Sequence, residues 1–190
     1  SHKAGAQSQT EVGLLSPALE MRSFHNEKVI ISLQDWFSIQ ARQYIKDFEK
    51  DKSYVLLYFY STNCLFCVEE ISLLENIAKK YHEIFLEKFP IQVFLITQKK
   101  ENIPEKIIAL DTLKYSSDIS PLTFVILFDK FQIAKSHFRV NPNHYFFVID
   151  SALTIDSKAS HDKKFKDILK ERLGYWTRKP NEQIAVLFHE

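Results

Sequence analysis

"YVLLYFYSTNCLFCVEE", residues 54–70, decides how the rest of the chain is read. Its first part, Tyr54 to Tyr60, is an unbroken apolar and aromatic run, the pattern of a strand buried on both faces. Both cysteines of the chain follow directly, Cys64 and Cys67, separated by Leu65 and Phe66. Beyond them, Ile71, Leu74, Ile77, Ala78, Tyr81, Ile84 and Phe85 recur at helical spacing, and Phe89-Pro90 is a stop signal. The cysteines therefore lie where a buried strand hands over to an amphipathic helix. A helix N-terminus offers unpaired N–H groups and partial positive charge, which stabilise a thiolate. A CxxC pair placed there supplies an attacking thiol and a resolving thiol one turn away. Three uses of the pair stand side by side: a redox couple, part of a metal site, or two inert thiols. Redox activity is favoured, because so short a loop staples little chain and is easily reduced.

Working outward, "KVIIS" (28–32) predicts a short strand and "SLQDWFSIQARQYIKDFEK" (32–50) a helix. Ser32 is its N-cap, with Asp35 at the capping-box spacing. Phe37, Ala41, Tyr44, Ile45 and Phe48 fall on one helical stripe. "IQVFLIT" (91–97) is a second buried strand, followed by a helix expected in "PEKIIALDTLKY" (104–115). "LTFVILF" (122–128) and "YFFVID" (145–150) predict two more strands, the latter turning into "ALTI". A last helix, "DKKFKDILKERL", carries Phe165, Ile168, Leu169 and Leu173 on one side and is expected to end at Gly174, a C′ residue. Strands and helices alternating in this order imply an α/β mixed sheet covered on both faces.

Composition removes several function classes. The 190 residues suit one domain, and 45% hydrophobic with 14% aromatic content is a folding composition. A net charge of +1 argues against a nucleic-acid surface. The basic run Lys163, Lys164 and Lys166 is interrupted by Phe165 and Asp167 and reads as a solvated helix face. The aromatic clusters "YFY" and "HYFF" hold no Lys or Arg and "HFRV" holds only Arg139, so core is the better reading than a base-stacking platform. Gly5, Gly13 and Gly174 are the only glycines and none lies between a strand and a helix, which argues against a phosphate-cradling loop. No apolar run reaches the ~18 residues of a membrane span. Residues 1–15 read as a flexible segment, a tag scar or what remains after a leader is trimmed. The main domain is placed at 16–174 and a C-terminal extension at 175–190, whose "IAVLF" fits an edge strand, a groove cover or a contact between chains.

With these elements in place, the chain resembles a thioredoxin-like fold, a three-layer α/β/α domain with a central mixed sheet. The resemblance is to the TlpA/ResA-like (redoxin) branch of extracytoplasmic thiol–disulfide oxidoreductases, over roughly residues 16 to 174. "SPALEM" with "KVIISLQDW" looks like that branch's opening hairpin and helix entry. "YVLLYFYSTNCLFCVEEISLLENI" resembles its strand, CxxC and following helix. "SPLTFVILFDKFQIAKSHFRV" and "YFFVIDSALTI" look like its later strand, short helix and closing hairpin. The resemblance implies Cys64 as nucleophile, Cys67 as the buried resolving thiol and Glu70 as the acid beside them. It implies Leu65, Phe66, Pro142 and His144 at the substrate-docking surface, no cofactor, protein thiols and disulfides as substrates, and a reducing partner protein. Its location would be extracytoplasmic, periplasmic or exported.

Four positions depart from the family pattern. Asn63 replaces the Trp before the first cysteine, Tyr58 stands where thioredoxins carry a buried Asp, and Ser72 replaces a helix-kinking Pro. In the loop facing the CxxC, counting back from "FFVID" puts His144 at the family's cis-Pro, with Pro142 two residues early. A cis bond without proline is costly, so His144 is expected trans unless a two-residue bulge moves Pro142 into place. The alternative function is a binding module of the same fold, used for metal delivery through Cys64, Cys67 and His144 or for protein contact. His25, His82, His137, His161 and His189 show no ligand spacing.

Overall fold

The computed structural model describes residues 10–43, 53–114, 121–160 and 162–189, excluding the side chains of 39–43. Strands β1 (Glu20–Ser23) and β2 (Ile30–Ser32) precede α1 (Leu33–Gln43), β3 (Tyr54–Tyr60) and α2 (Cys67–Phe85). Then come β4 (Ile91–Thr97), α3 (Glu105–Ile108), β5 (Thr123–Phe128), α4 (Ile133–His137), β6 (Phe146–Asp150) and β7 (Ile155–Lys158). Helices α5 (Phe165–Thr177) and α6 (Asn181–Val186) close the chain. The strands form one sheet in the order β2-β1-β5-β4-β3-β6-β7. β3, β4 and β5 run parallel, while both flanks are antiparallel. The parallel centre explains why "YVLLYFY" and "IQVFLIT" show no polar alternation: every residue of both strands is buried.

Each face of the sheet carries its own core. On one side Tyr54, Leu56, Tyr58 and Tyr60 of β3 meet Ile71, Leu74, Ile77 and Tyr81 of α2, together with Phe165, Leu169 and Leu173 of α5. On the other, Val55, Leu57 and Phe59 pack with Leu33 and Phe37 of α1 and Ala134 of α4. The alternation of β3 side chains between two helical layers makes the fold a three-layer α/β/α sandwich. Ser32 Oγ accepts the Asp35 N–H at 3.1 Å, the cap expected for α1. Tyr44, Ile45 and Phe48 of the expected stripe lie outside the described residues, as do Tyr115 and His161.

Three elements differ from their sequence pattern. The helix expected over 104–115 is a single turn, because Thr112 leaves it to donate both N–H and hydroxyl to Phe124 O on β5 (2.8 and 3.0 Å). Helix α2 ends at Phe85, ahead of Phe89-Pro90, with Leu86 in a left-handed cap whose N–H reaches His82 O. Helix α5 does not stop at Gly174 but continues to Thr177, with Arg178 as its left-handed cap. Gly174 is needed for closeness, since a Cβ there would meet Asn181 Oδ1 at 2.5 Å and Lys179 O at 3.1 Å. The tail then forms α6, which inserts Ile184 and Leu187 into the core shared with α2 and α5. At the other terminus, Gly13 and Ser16 donate backbone bonds to Ile155 and Leu153 along the β6–β7 hairpin.

Candidate functional site

The strand-to-helix handover after β3 is a short turn. Ser61 anchors it: its carbonyl accepts the Cys64 N–H at 3.0 Å and its hydroxyl the Asn63 N–H at 3.3 Å. Cys64 and Cys67 are joined as a disulfide with Cα atoms 5.5 Å apart. Helix α2 begins at Cys67, so Cys64 lies just outside it, and no side chain caps this end. The two cysteines differ in access: Cys67 is 1% exposed, whereas Cys64 is half-buried. Between them Leu65 is 94% exposed and Phe66 42% exposed, which leaves an apolar surface between the two cysteines.

Glu70 lies one turn beyond Cys67 on the same side of α2. Its carboxylate is gripped from the sheet. The Tyr58 hydroxyl donates to Oε1 at 2.7 Å, and the Tyr145 hydroxyl reaches Oε1 at 2.8 Å and Oε2 at 3.0 Å. Burial pushes the Glu70 carboxyl above the ordinary carboxylate range, against the two tyrosine hydrogen bonds and the Lys164 charge, which favour the anion. Burial first, and the Glu70 charge with it, holds both tyrosine hydroxyls well above the usual phenol range, so they remain donors. Tyr58 thus contributes its hydroxyl to a carboxylate supplied by the facing helix.

The sequence pattern places Tyr145 as the first residue of a strand over 145–150 and gives it no part in the site. Phe59 N–H bonds to Tyr145 O at 2.8 Å, so strand alternation would send Tyr145 to the face of Phe59. Instead β6 begins at Phe146, and Tyr145, free of the pleat, turns its ring to the Tyr58 side. The ring lies 5.5 Å from Tyr58, 5.3 Å from Phe146 and 5.2 Å from Phe66 inside the CxxC loop. No periodicity signal marks a residue one step outside a strand.

Pro142 and His144 belong to a tight turn beside Tyr145. Asn141 and His144 exchange backbone bonds (3.0 and 3.2 Å), and Asn141 Oδ1 accepts the N–H groups of Asn143 and His144. Pro142 is exposed at the tip, His144 is half-buried, and no peptide bond among the described residues is cis. Burial, with help from Lys158, lowers the His144 pKa and favours its neutral form. The side chain seen to touch the CxxC loop from this region is Tyr145. Among the described residues no three His, Cys, Asp or Glu side chains are grouped to hold a metal, so Cys64, Cys67 and His144 are not assembled as a ligand set.

Comparisons with known proteins extend this picture at the level of fold. No family model and no curated protein matches the chain in sequence. In structure it is similar to a thiol:disulfide interchange protein from Bacteroides sp., with 15% identity, 92% of this chain and 95% of that chain covered, and a TM-score of 0.55. It is also similar to yeast Sco1 (15% identity, 93% and 99% covered, TM-score 0.54), which has been solved with copper bound as well. A Chlorobium tepidum protein assigned as the thiol:disulfide interchange protein DsbE aligns at 14% identity over 94% and 99% of the chains, with a TM-score of 0.52. The fold of this chain is thioredoxin-like.

Proposed function

We propose that this protein is a thiol–disulfide oxidoreductase that exchanges disulfides with protein thiols through Cys64 and Cys67. The observation that carries the reading is the asymmetric disulfide at the start of α2, with Cys64 half-buried, Cys67 fully buried and a held carboxylate one helical turn on. Likeness in fold to thiol:disulfide interchange proteins supports it.

In the reduced protein the Cys64 thiolate attacks a substrate disulfide, and one substrate sulfur leaves as a thiolate that takes up a proton. Cys67 then gives its proton to Glu70 and attacks Cys64 Sγ, releasing the second substrate thiol. Two electrons have passed to the substrate and the Cys64–Cys67 bond has formed. A protein dithiol, the reducing partner, returns those electrons. Leu65 and Phe66 form the apolar docking rim, with the Pro142–His144 turn flanking it. We place the protein outside the cytoplasm, where such disulfides persist. No helix among the described residues is long and apolar enough to cross a membrane.

Replacing Cys67 with Ser tests the proposal, because the resolving step is lost and a mixed disulfide with protein thiols accumulates on Cys64. A wild-type protein without a dithiol–disulfide couple in a redox titration, and a C67S variant without adducts, would sink it. The metal-delivery alternative requires His144 to join the cysteines after reduction. It gains support only if the reduced protein takes up stoichiometric copper or zinc and loses it in both Cys64→Ser and His144→Ala.

A further inference from the structure

We propose that Tyr58 and Tyr145 are positioning residues for proton exchange at the cysteine pair: their hydroxyls, both donating to Glu70, hold the carboxylate that takes the proton of Cys67. The inference rests on the oxidoreductase reading above, and it concerns residues that reach the site from the sheet rather than from α2.

The geometry has three parts. Glu70 is tied at both oxygens, and both donors come from the sheet side, Tyr58 from β3 and Tyr145 from the residue preceding β6. Both tyrosines are themselves clamped by rings, Tyr58 against Phe165 at 5.6 Å and Tyr145 against Phe66 and Phe146. The carboxylate therefore cannot swing to solvent without breaking two charge-assisted hydrogen bonds. The charged and titratable groups acting on it are these two hydroxyls and Lys164 at the entry to α5, and Cys67 lies one helical turn before it on α2. A buried carboxylate with no donors takes up a proton and ceases to be a base, and each hydroxyl opposes that.

In a mixed disulfide on Cys64, the Cys67 S–H bond breaks and its proton passes to Glu70. The Cys67 sulfur then bonds to Cys64 Sγ, and the bound thiol leaves with the electron pair of the broken S–S bond. Deleting either hydroxyl makes Glu70 easier to protonate. At mildly acidic pH fewer molecules then carry the base, and resolution slows.

Dithiobis(nitrobenzoate), a chromogenic small disulfide, separates the two steps. Attack by Cys64 releases a first thionitrobenzoate, and attack by Cys67 releases the second. Tyr58→Phe and Tyr145→Phe keep the rings and remove only the hydroxyls. Each is expected to slow the second release about threefold to tenfold below neutral pH and move its limb to higher pH, with the first release little changed. Glu70→Gln should lose the limb, and adding either Phe to it should change nothing further. A second release that is unchanged in both Phe variants, or slowed equally in the Glu70→Gln background, overturns the proposal. So does a Glu70→Gln variant that keeps the wild-type limb. A protein with biphasic release but no turnover of protein disulfides would fail the oxidoreductase reading while leaving this one standing.

Discussion

Tyr145 donates to Glu70 across 2.8 Å, joining the residue just ahead of β6 to the helix that carries Cys67. The same ring lies 5.2 Å from Phe66, so one side chain touches both the CxxC loop and the carboxylate behind it. Carboxylate and CxxC loop therefore share one packing partner.

Leu65 is 94% exposed, so a charge there costs little stability. Leu65→Asp is expected to raise KM for a reduced or oxidised protein substrate about threefold to tenfold while leaving the melting temperature and the reaction with a small disulfide unchanged. Steady-state kinetics with both substrate types check it. An equal loss with the small disulfide would place Leu65 in the chemistry instead of in docking.

Glu70 makes stability depend on pH in a definite direction. Burial raises its folded pKa above the unfolded value. Its contribution is fully present below the unfolded carboxylate range and is lost as pH rises through the folded value. Glu70→Gln should flatten that part of the curve in denaturant titrations of the oxidised protein, with a larger gain at pH 7 than at pH 4. A difference between variant and wild type that does not vary with pH would contradict this sign.

Asp156 on β7 behaves in the opposite way. It accepts from Arg172 at 2.6 Å, Trp176 Nε1 at 2.8 Å and Ser157 at 2.7 Å, tying α5 to the sheet edge. Burial opposes its ionisation, but these donors outweigh it and hold the carboxyl below its usual range. Its stabilisation is present above the unfolded value and is lost as pH falls through the folded one. Asp156→Ala is expected to cost about 2–4 kcal/mol at neutral pH, less in acid, by chemical denaturation. A loss of similar size at pH 3 and pH 7 would argue for packing alone.

Gly174→Ala sets helix propensity against a close approach. Alanine favours the helix by about 1 kcal/mol. Its Cβ, however, would meet Asn181 Oδ1 and the Lys179 carbonyl, which belong to the turn into α6. A net loss of about 1–2 kcal/mol is expected, with loosening of α6 visible in hydrogen exchange. An Ala variant as stable as wild type would mean that the turn relaxes freely.

The local pattern of the chain was enough to place the three-layer fold and the cysteine pair. Unbroken apolar runs at β3 and β4, helical spacing from Ile71 to Tyr81, and a CxxC at their junction are nearest-neighbour properties that need no partner to be recognised. Glu70 came from the family resemblance, which implies an acid three residues beyond Cys67 on the same helix. What only the tertiary structure decided is what stands opposite them. The side chain from the β6 loop that meets the CxxC is Tyr145, because the pleat ends at Phe146 and releases the preceding ring to the α2 side. Tyr58 joins the site through a carboxylate twelve residues away, across the sheet–helix gap. Gly174 allows α5 to continue and α6 to fold back, a matter of clearance between chain segments and not of local propensity. Periodicity records which face a residue prefers, whereas contact between separate elements depends on where a strand stops and how closely two backbones approach.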